Sequence, residues 1–321
     1  MSNETALLLM LMSLVGGFTG GVLVGRLIRV PFFSYDDMGW SIGIYTGQSP
    51  FDLVSIGKLN PVLTAKDVTD VRARFVADPF MIAEGSMWYM FFEVLNADTK
   101  QGVIGLAVSS DGLKWKYERI VLEESFHLSY PYVFKWEDVY YMVPESRRAH
   151  SVRLYKAEHF PGKWLPVATL LHGDFVDPSV VNYRGKWWIF VALTGNNVLR
   201  LYCADVLDGP YAEHPKSPIV LGDARIARPA GRVLILDDRV YRFAQDNSLT
   251  YGNQVKMFEI TDLTPTRYAE REVKPCPELR ASGNGWNAEG MHHVDLHQTA
   301  DKKWIASVDG RKRTLHFDLK K

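Results

Sequence analysis

With 321 residues, 47% of them hydrophobic and 23% charged, the chain can bury a full core, so disorder is excluded, and two cysteines are too few for a disulfide-stapled miniprotein. The 37 basic residues balance 37 acidic ones, and no long basic run occurs outside the mixed stretch Lys302 to Lys321. No nucleic-acid partner is expected, because binding one requires clustered positive charge that displaces counterions. Cys203 and Cys276 stand far apart, in neither a metal-ligand nor a CxxC spacing, which fits a reducing compartment.

The chain begins in a different material from the rest. From Thr5 to Gly25 there is no charged residue, enough for about 31 Å of helix, and the spacing predicts a single-pass membrane anchor within residues 1–30. Glu4 precedes the run while Arg26 and Arg29 follow it, the reverse of a cleavable signal peptide. By the positive-inside rule these arginines put the following domain, residues 31–321, in the cytoplasm. Gly17, Gly21 and Gly25 share one helical face in a small-xxx-small pattern through which the helix could self-associate; a glycine-rich span without a partner fits the same pattern.

Beyond Pro31 the sequence repeats. FVADPFMIAEGSMWYMFFE from Phe75, HLSYPYVFKWEDVYYMVPE from His127, FVDPSVVNYRGKWWIFVAL from Phe175 and IARPAGRVLILDDRVYRFAQD from Ile226 share one layout: a proline early in a β-rich run, a turn, and an aromatic second run. The anchoring prolines, Pro79, Pro131, Pro178 and Pro229, recur about every fifty residues, and a looser fifth copy, GMHHVDLHQTADKKWIASVDG, starts at Gly290. A third apolar run and then an aromatic follow each of the first four copies. Four strands per unit and five units predict an all-β, five-bladed β-propeller. SIGIYTGQSPFDLVSI from Ser41 resembles the third and fourth strands of a blade and is expected to complete blade five, with the strand from Thr314 joining it or lying outside.

In a propeller the innermost strands line a central channel, so equivalent positions on them converge. The residues before the prolines are Asp78, Tyr130, Asp177 and Arg228, with His292 and His293 in the matching stretch of blade five. Proline is expected at the first strand position, with its predecessor extended. The second runs close in polar residues as well: Glu93, Glu145, and the pair Gln245 and Asp246, which could face the channel or cap a strand edge.

The VADPF and FVDPS segments resemble the catalytic aspartate positions of five-bladed glycoside hydrolases of family 43. HLSYPYVF, RPAGR, RFAQD, the YG at Tyr251 and GMHH, in that order, resemble the N-terminal propeller domain of glucosamine inositolphosphorylceramide transferases and its stand-alone bacterial relatives, over nearly all of residues 40–310. The hydrolase resemblance implies a carbohydrate-active fold with Asp78 as general base and Asp177 as the carboxylate that orients and tunes the acid. Where the hydrolase pattern has its acid glutamate, at the start of blade four, this chain has Arg228.

A guanidinium does not lose its proton near neutral pH and cannot act as that acid. It can clamp a phosphate through a forked pair of hydrogen bonds, and Arg232, four residues on, would join it on the same strand face. The leading expectation is therefore a membrane-anchored enzyme moving a sugar from a phosphate-activated donor to a glycan or lipid-linked acceptor. A glycoside hydrolase with Glu145 or Glu93 as the replacement acid is the first alternative; a non-catalytic glycan-binding or scaffolding propeller is the second. Neither a GxGxxG nor a Walker A motif is present, so a nucleotide would have to be held by side chains rather than a glycine-rich helix start; no cofactor is expected. His293, Asp295 and His297 alternate onto one strand face with His292 on the other, a partial ligand set, and no metal is expected either.

Overall fold

Each of the four proline-anchored repeats folds as one antiparallel sheet in the computed structural model, which describes residues 33–36, 39–274 and 276–317. Blade one runs Ala73–Glu84, Met87–Asn96, Gly102–Ser109 and Lys116–Leu122; blade two runs Ser129–Trp136, Val139–Glu145, Ser151–His159 and Lys163–His172. Blade three comprises Phe175–Tyr183, Lys186–Leu193 and Val198–Ala204, with two short outer strands, Ala212–Glu213 and Val220–Leu221, both paired to the third. In blade four the inner strand is broken into Arg228–Pro229 and Leu234–Leu236, both paired to Arg239–Asp246, followed by Gln254–Leu263 and Tyr268–Glu272.

Blade five closes the ring with both halves of the chain. Val294–Gln298 and Trp304–Arg311 supply its inner strands, and Trp40–Gly47 pairs with Trp304–Arg311 along its whole length before Val54–Ser55 adds the edge. The five-bladed all-β architecture is thus observed, with the segment from Trp40 completing the last blade as expected. Residues 40–312 form one compact unit. A second unit contains a two-stranded ladder, Phe33–Asp36 against Thr314–Phe317, so the strand from Thr314 stays outside the blade. The expected anchor at Thr5 to Gly25 lies outside the described residues; among those described, no helix is long and apolar enough to cross a membrane.

The core is a set of apolar layers between neighbouring blades. Phe80, Phe91, Tyr132, Met142 and Leu154 lie in the layer that runs from blade one through blade two, and Ile42, Val76, Met90 and Phe92 tie blade five to blade one. Each such side chain, taken from water to full burial, contributes about 1.5–3 kcal/mol. The inner hairpins of blades two, three and four turn on two residues with positive φ, Glu137-Asp138, Arg184-Gly185 and Asp237-Asp238, as expected of tight turns whose twist matches that of the strands. These turns mark the end of the inner strands away from the proline positions.

Candidate active site

In blades one, two and three the residue before the proline is not extended but left-handed. Asp78, Tyr130 and Asp177 have φ of 53°, 47° and 50°. Each sits in a bulge, between Ala77 and Phe80, Ser129 and Tyr132, and Val176 and Ser179, where the ladder to the second strand shifts register. The slots therefore lie within the strands rather than at their first position. Proline disfavours helical geometry in its predecessor, and a side chain at positive φ costs on the order of 1–3 kcal/mol, so the ladder over-determines a strained conformation three times over. A bulge re-aims side chains, and here each one carries the slot residue itself. Arg228 in blade four instead pairs regularly with Gln245.

The second strands supply the facing carboxyls. Ala77 pairs with Glu93 and Ser129 with Glu145, which places both glutamates beside the slots. Asp177 is the hub: it accepts from Arg228 Nε at 2.6 Å, Arg228 Nη2 at 3.1 Å and Gln245 Nε2 at 2.6 Å. Arg228 Nη1 donates to Asn196 Oδ1 at 3.0 Å, Glu145 Oε2 lies 3.8 Å from Nη2, and the guanidinium sits 5.3 Å over the Tyr251 ring. On the other side His292 Nδ1 lies 2.6 Å from Asp309 Oδ2, and Nε2 lies 3.8 Å from Asp78. Asp309 also accepts the backbone N–H groups of His292, His293 and Asp78. Trp40 stacks on the His292 ring at 4.0 Å.

Burial and mutual repulsion set the protonation states. Burial pushes the Asp78 carboxyl up to about 7; His292 opposes the rise while Asp177 and Asp309 add to it. Glu145 is pushed up to about 8 by burial and then by the Asp177 charge, with Arg228 opposing. Glu93 is held well above the usual carboxyl range by burial and by its three acidic neighbours Asp78, Glu145 and Asp177. His127, 3.3 Å from Glu93, is depressed to about 4 by burial and by Arg147 and Arg148, so it stands neutral beside that acid. Burial works against charge on His292, but Asp309 and Asp78 outweigh it and raise the imidazole above its ordinary value.

Asp78, Glu93, Glu145, Asp177, Arg228, Gln245 and His292 are thus brought together. Three other expected residues are not. Tyr130 is fully buried beneath the cluster, with its hydroxyl between Ser179 Oγ at 2.8 Å and the Gly231 carbonyl at 3.0 Å while it accepts the Gly231 N–H at 2.6 Å, so it pins blades two, three and four together. Arg232 does not join Arg228, because Gly231, at φ 135°, breaks the strand and with it the expected parity. The Arg232 guanidinium lies further along the channel, on Asp295 at 2.6 Å and the Met81 and Val133 carbonyls, over Phe80 and Tyr132. Asp246 turns away to bind Ser248, Gln254 and Lys256 at its own hairpin.

His293 joins the floor of the site, packed against Phe80 with Nδ1 3.9 Å from Asp78. Asp309 is the functional residue that sequence reasoning missed. It closes WIASVD as Glu93 closes WYMFFE, so the repeat itself carried the signal. The expectation of no metal rested on His293, Asp295 and His297; the structure instead gathers a donor set from Asp78, His292 and Asp309, whose ligand atoms all lie within 4.8 Å of one another and could hold a cation. Asp295 is committed to Arg232 and, at 3.0 Å, to His297.

Residues 34–311 match the family model for the N-terminal region of glucosamine inositolphosphorylceramide transferase 1. The chain belongs to this family. Its curated relatives include glucosamine inositolphosphorylceramide transferase 1 of Oryza sativa subsp. japonica, 38% identical over 295 residues, and that of Arabidopsis thaliana, 34% identical over 299. These alignments cover 84% and 86% of this chain but only 40% and 39% of the relatives, so the chain spans about two fifths of the proteins it matches.

Solved structures of similar fold include the catalytic domain of a GH62 α-L-arabinofuranosidase from Coprinopsis cinerea, with a TM-score of 0.57 and 12% identity over 83% of this chain and 97% of that one. A putative glycoside hydrolase from Parabacteroides distasonis gives 0.56 and 10% over 86% and 99%. These likenesses concern the fold. The residues of the site stand on the geometry above.

Proposed function

We propose that the mouth of this propeller processes a glycosidic bond with two carboxyl groups, Glu145 as proton donor and Asp78 as base, and that Arg228 is not a phosphate clamp. One observation carries this: every polar nitrogen of Arg228 is already engaged, by Asp177 and Asn196, with Glu145 alongside, its carboxyl pushed up to about 8 by burial and the Asp177 charge. A diphosphate would have to displace the buried Asp177 carboxylate from the guanidinium and settle beside it, which electrostatics opposes.

In this mechanism Glu145 gives its proton to the leaving glycosidic oxygen as the bond to the anomeric carbon breaks. Asp78 takes a proton from the attacking water or hydroxyl as the new bond forms. Asp177, locked by Arg228 and Gln245, raises the pKa of the donor through its charge, the tuning role that the fold resemblance implies. His292, raised by its contact with Asp309, opposes the rise of the Asp78 carboxyl, while Asp309 itself adds to that rise.

Transfer of the sugar to an acceptor other than water is a second reading. It is favoured by the family, whose curated relatives are named as transferases, although the matched region is the smaller part of those proteins. A sugar donor and a glycan or lipid-linked acceptor are its proposed partners, and the charge-free segment from Thr5 is proposed to hold the domain at the cytoplasmic face of a membrane. Incubation with aryl glycosides, with and without glycan acceptors, against nucleotide-sugar and polyprenyl-phosphate-sugar panels separates these outcomes. Release of sugar from glycosides with poor leaving groups that is abolished by Glu145→Gln, with activated aryl glycosides spared, supports the two-carboxyl mechanism. Turnover of phosphate-activated donors alone refutes it. A reporter fused to the C-terminus that is active only outside the cytoplasm refutes the membrane orientation.

A further inference from the structure

At the opposite end of the inner strands, between blades two and three, the turn ends and outer strands frame a cavity of about 570 Å³. Trp136 and Trp187 form its corner, their rings 4.9 Å apart at 78°, and Tyr141 extends the aromatic wall through Phe134, on which it stacks at 5.8 Å. Trp187 is buried, whereas Trp136 and Tyr141 are half-buried and reach the cavity. Around this wall stand Asn182, Glu137 and Asp208, with Lys156 as the cation among the described lining residues; Asp205, also on the lining, is neutralised by Lys186. Glu137 and Asp208 line the same cavity as Tyr141, whose hydroxyl is pushed above its usual range by burial and by their charges.

We propose that this cavity is a second carbohydrate-binding site, for a neutral glycan, separate from the mouth. Sugar rings present C–H faces that pack on indole and phenol, and edges of hydroxyls that donate to carboxylates and amides. A half-buried aromatic corner ringed by two unneutralised carboxylates and an amide offers both. The volume lies within the usual 300–1,000 Å³ of small-ligand sites, about that of one or two sugar rings. Acidic groups outnumber basic ones on the lining, which disfavours uronates, sulfated sugars and phosphates. The site lies on the face away from Asp78 and Glu145, so a chain bound here is held beside the enzyme rather than in the reacting position. This proposal does not rest on the function assigned to the mouth.

The test uses the full chain labelled with 5-fluorotryptophan, the Trp136 and Trp187 signals being assigned by substitution with phenylalanine. Titration with xylohexaose, cellohexaose and mannohexaose should move the Trp136 signal saturably for at least one of them, in the native protein and equally in Glu145→Gln, which alters only the mouth. Trp136→Ala should weaken that binding by about tenfold or more, the scale of losing an aromatic anchor. Should Trp136→Ala fail to fold, Asp208→Asn, on an exposed side chain, carries the test and should weaken binding several-fold. The proposal is overturned if no neutral hexasaccharide moves the signal at millimolar concentration, if Glu145→Gln abolishes the response, or if hexagalacturonate or hexalysine binds more tightly than every neutral sugar.

Discussion

Arg228 and Asp177 come from neighbouring blades and meet as a forked ion pair, Nε to Oδ2 at 2.6 Å and Nη2 to Oδ1 at 3.1 Å, with Asp177 almost fully buried. An arginine in the slot where a hydrolase-like acid was expected is thus spent on positioning a carboxylate. In the proposed mechanism the proton donor is Glu145, from the blade beside that of Asp177, and its Oε2 also lies 3.4 Å from the Asp177 backbone nitrogen.

Replacing Arg228 by Gln should therefore damage folding before it damages donor recognition. Removing one partner of a buried pair leaves an uncompensated charge, at a cost of about 3–5 kcal/mol. Arg228→Lys keeps the charge but loses the fork, and should recover only part of the stability. Urea midpoints of the two variants check this. A variant with native stability and a selective rise in KM for a nucleotide-sugar would restore the phosphate-clamp role.

The aligned repeats made the blades and the converging slots legible, because β-runs and prolines recur where each blade needs them. What they could not show is which way a side chain turns once the ladder is irregular. The proline rule pointed to extended predecessors, whereas bulges hold Asp78, Tyr130 and Asp177 left-handed. Strand parity placed Arg232 beside Arg228, but parity holds only along an unbroken strand, and Gly231 breaks it. Gln245 and Asp246 were indistinguishable as neighbours closing one run, yet alternation sends only Gln245 to Asp177. Asp309 escaped notice because the fifth repeat lacks the proline that anchored the others.

Ring closure yields a further prediction. The strand Trp40–Gly47 pairs residue for residue with Trp304–Arg311, so the propeller is held shut by a ladder between the two ends of one unit. A chain beginning at residue 39 should keep the cooperative unfolding of the longer one. A chain beginning at residue 56 loses both outer strands of blade five and should be insoluble or protease-sensitive. Limited proteolysis and thermal melts of the two fragments decide the matter; equal melting of both would mean that the ladder contributes little.

The pH profile of turnover should be narrow. Asp78 must be ionised to accept a proton and titrates near 7, so kcat/KM rises with pH through that value; Glu145 must be protonated and titrates near 8, so kcat/KM falls above it. The expected curve is a bell centred between these values. Asp78→Asn should lower turnover by roughly 100-fold or more, the scale of a lost general base, and remove the acidic limb. Glu145→Gln should remove the alkaline limb and spare aryl glycosides whose leaving groups need no proton. A native profile that stays flat from pH 6 to 9 would remove both carboxyls from the mechanism.

The same raised Glu145 makes the site costly to fold, and this can be measured without any substrate. In the unfolded chain the carboxyl ionises near 4.5, whereas in the folded protein it holds its proton to about 8. Between these two values the folded state binds more protons than the unfolded one, so stability falls as pH rises, and the contribution is fully present only below the lower value. Glu145→Gln cannot ionise in either state and escapes the loss. Its stability relative to the native protein should therefore improve from pH 4.5 to pH 8, by on the order of 4 kcal/mol if the whole shift is expressed. Urea titrations of both proteins at several pH values test the linkage. If the difference between them does not change with pH, Glu145 ionises alike in the two states, and it cannot be the proton reservoir that the mechanism requires.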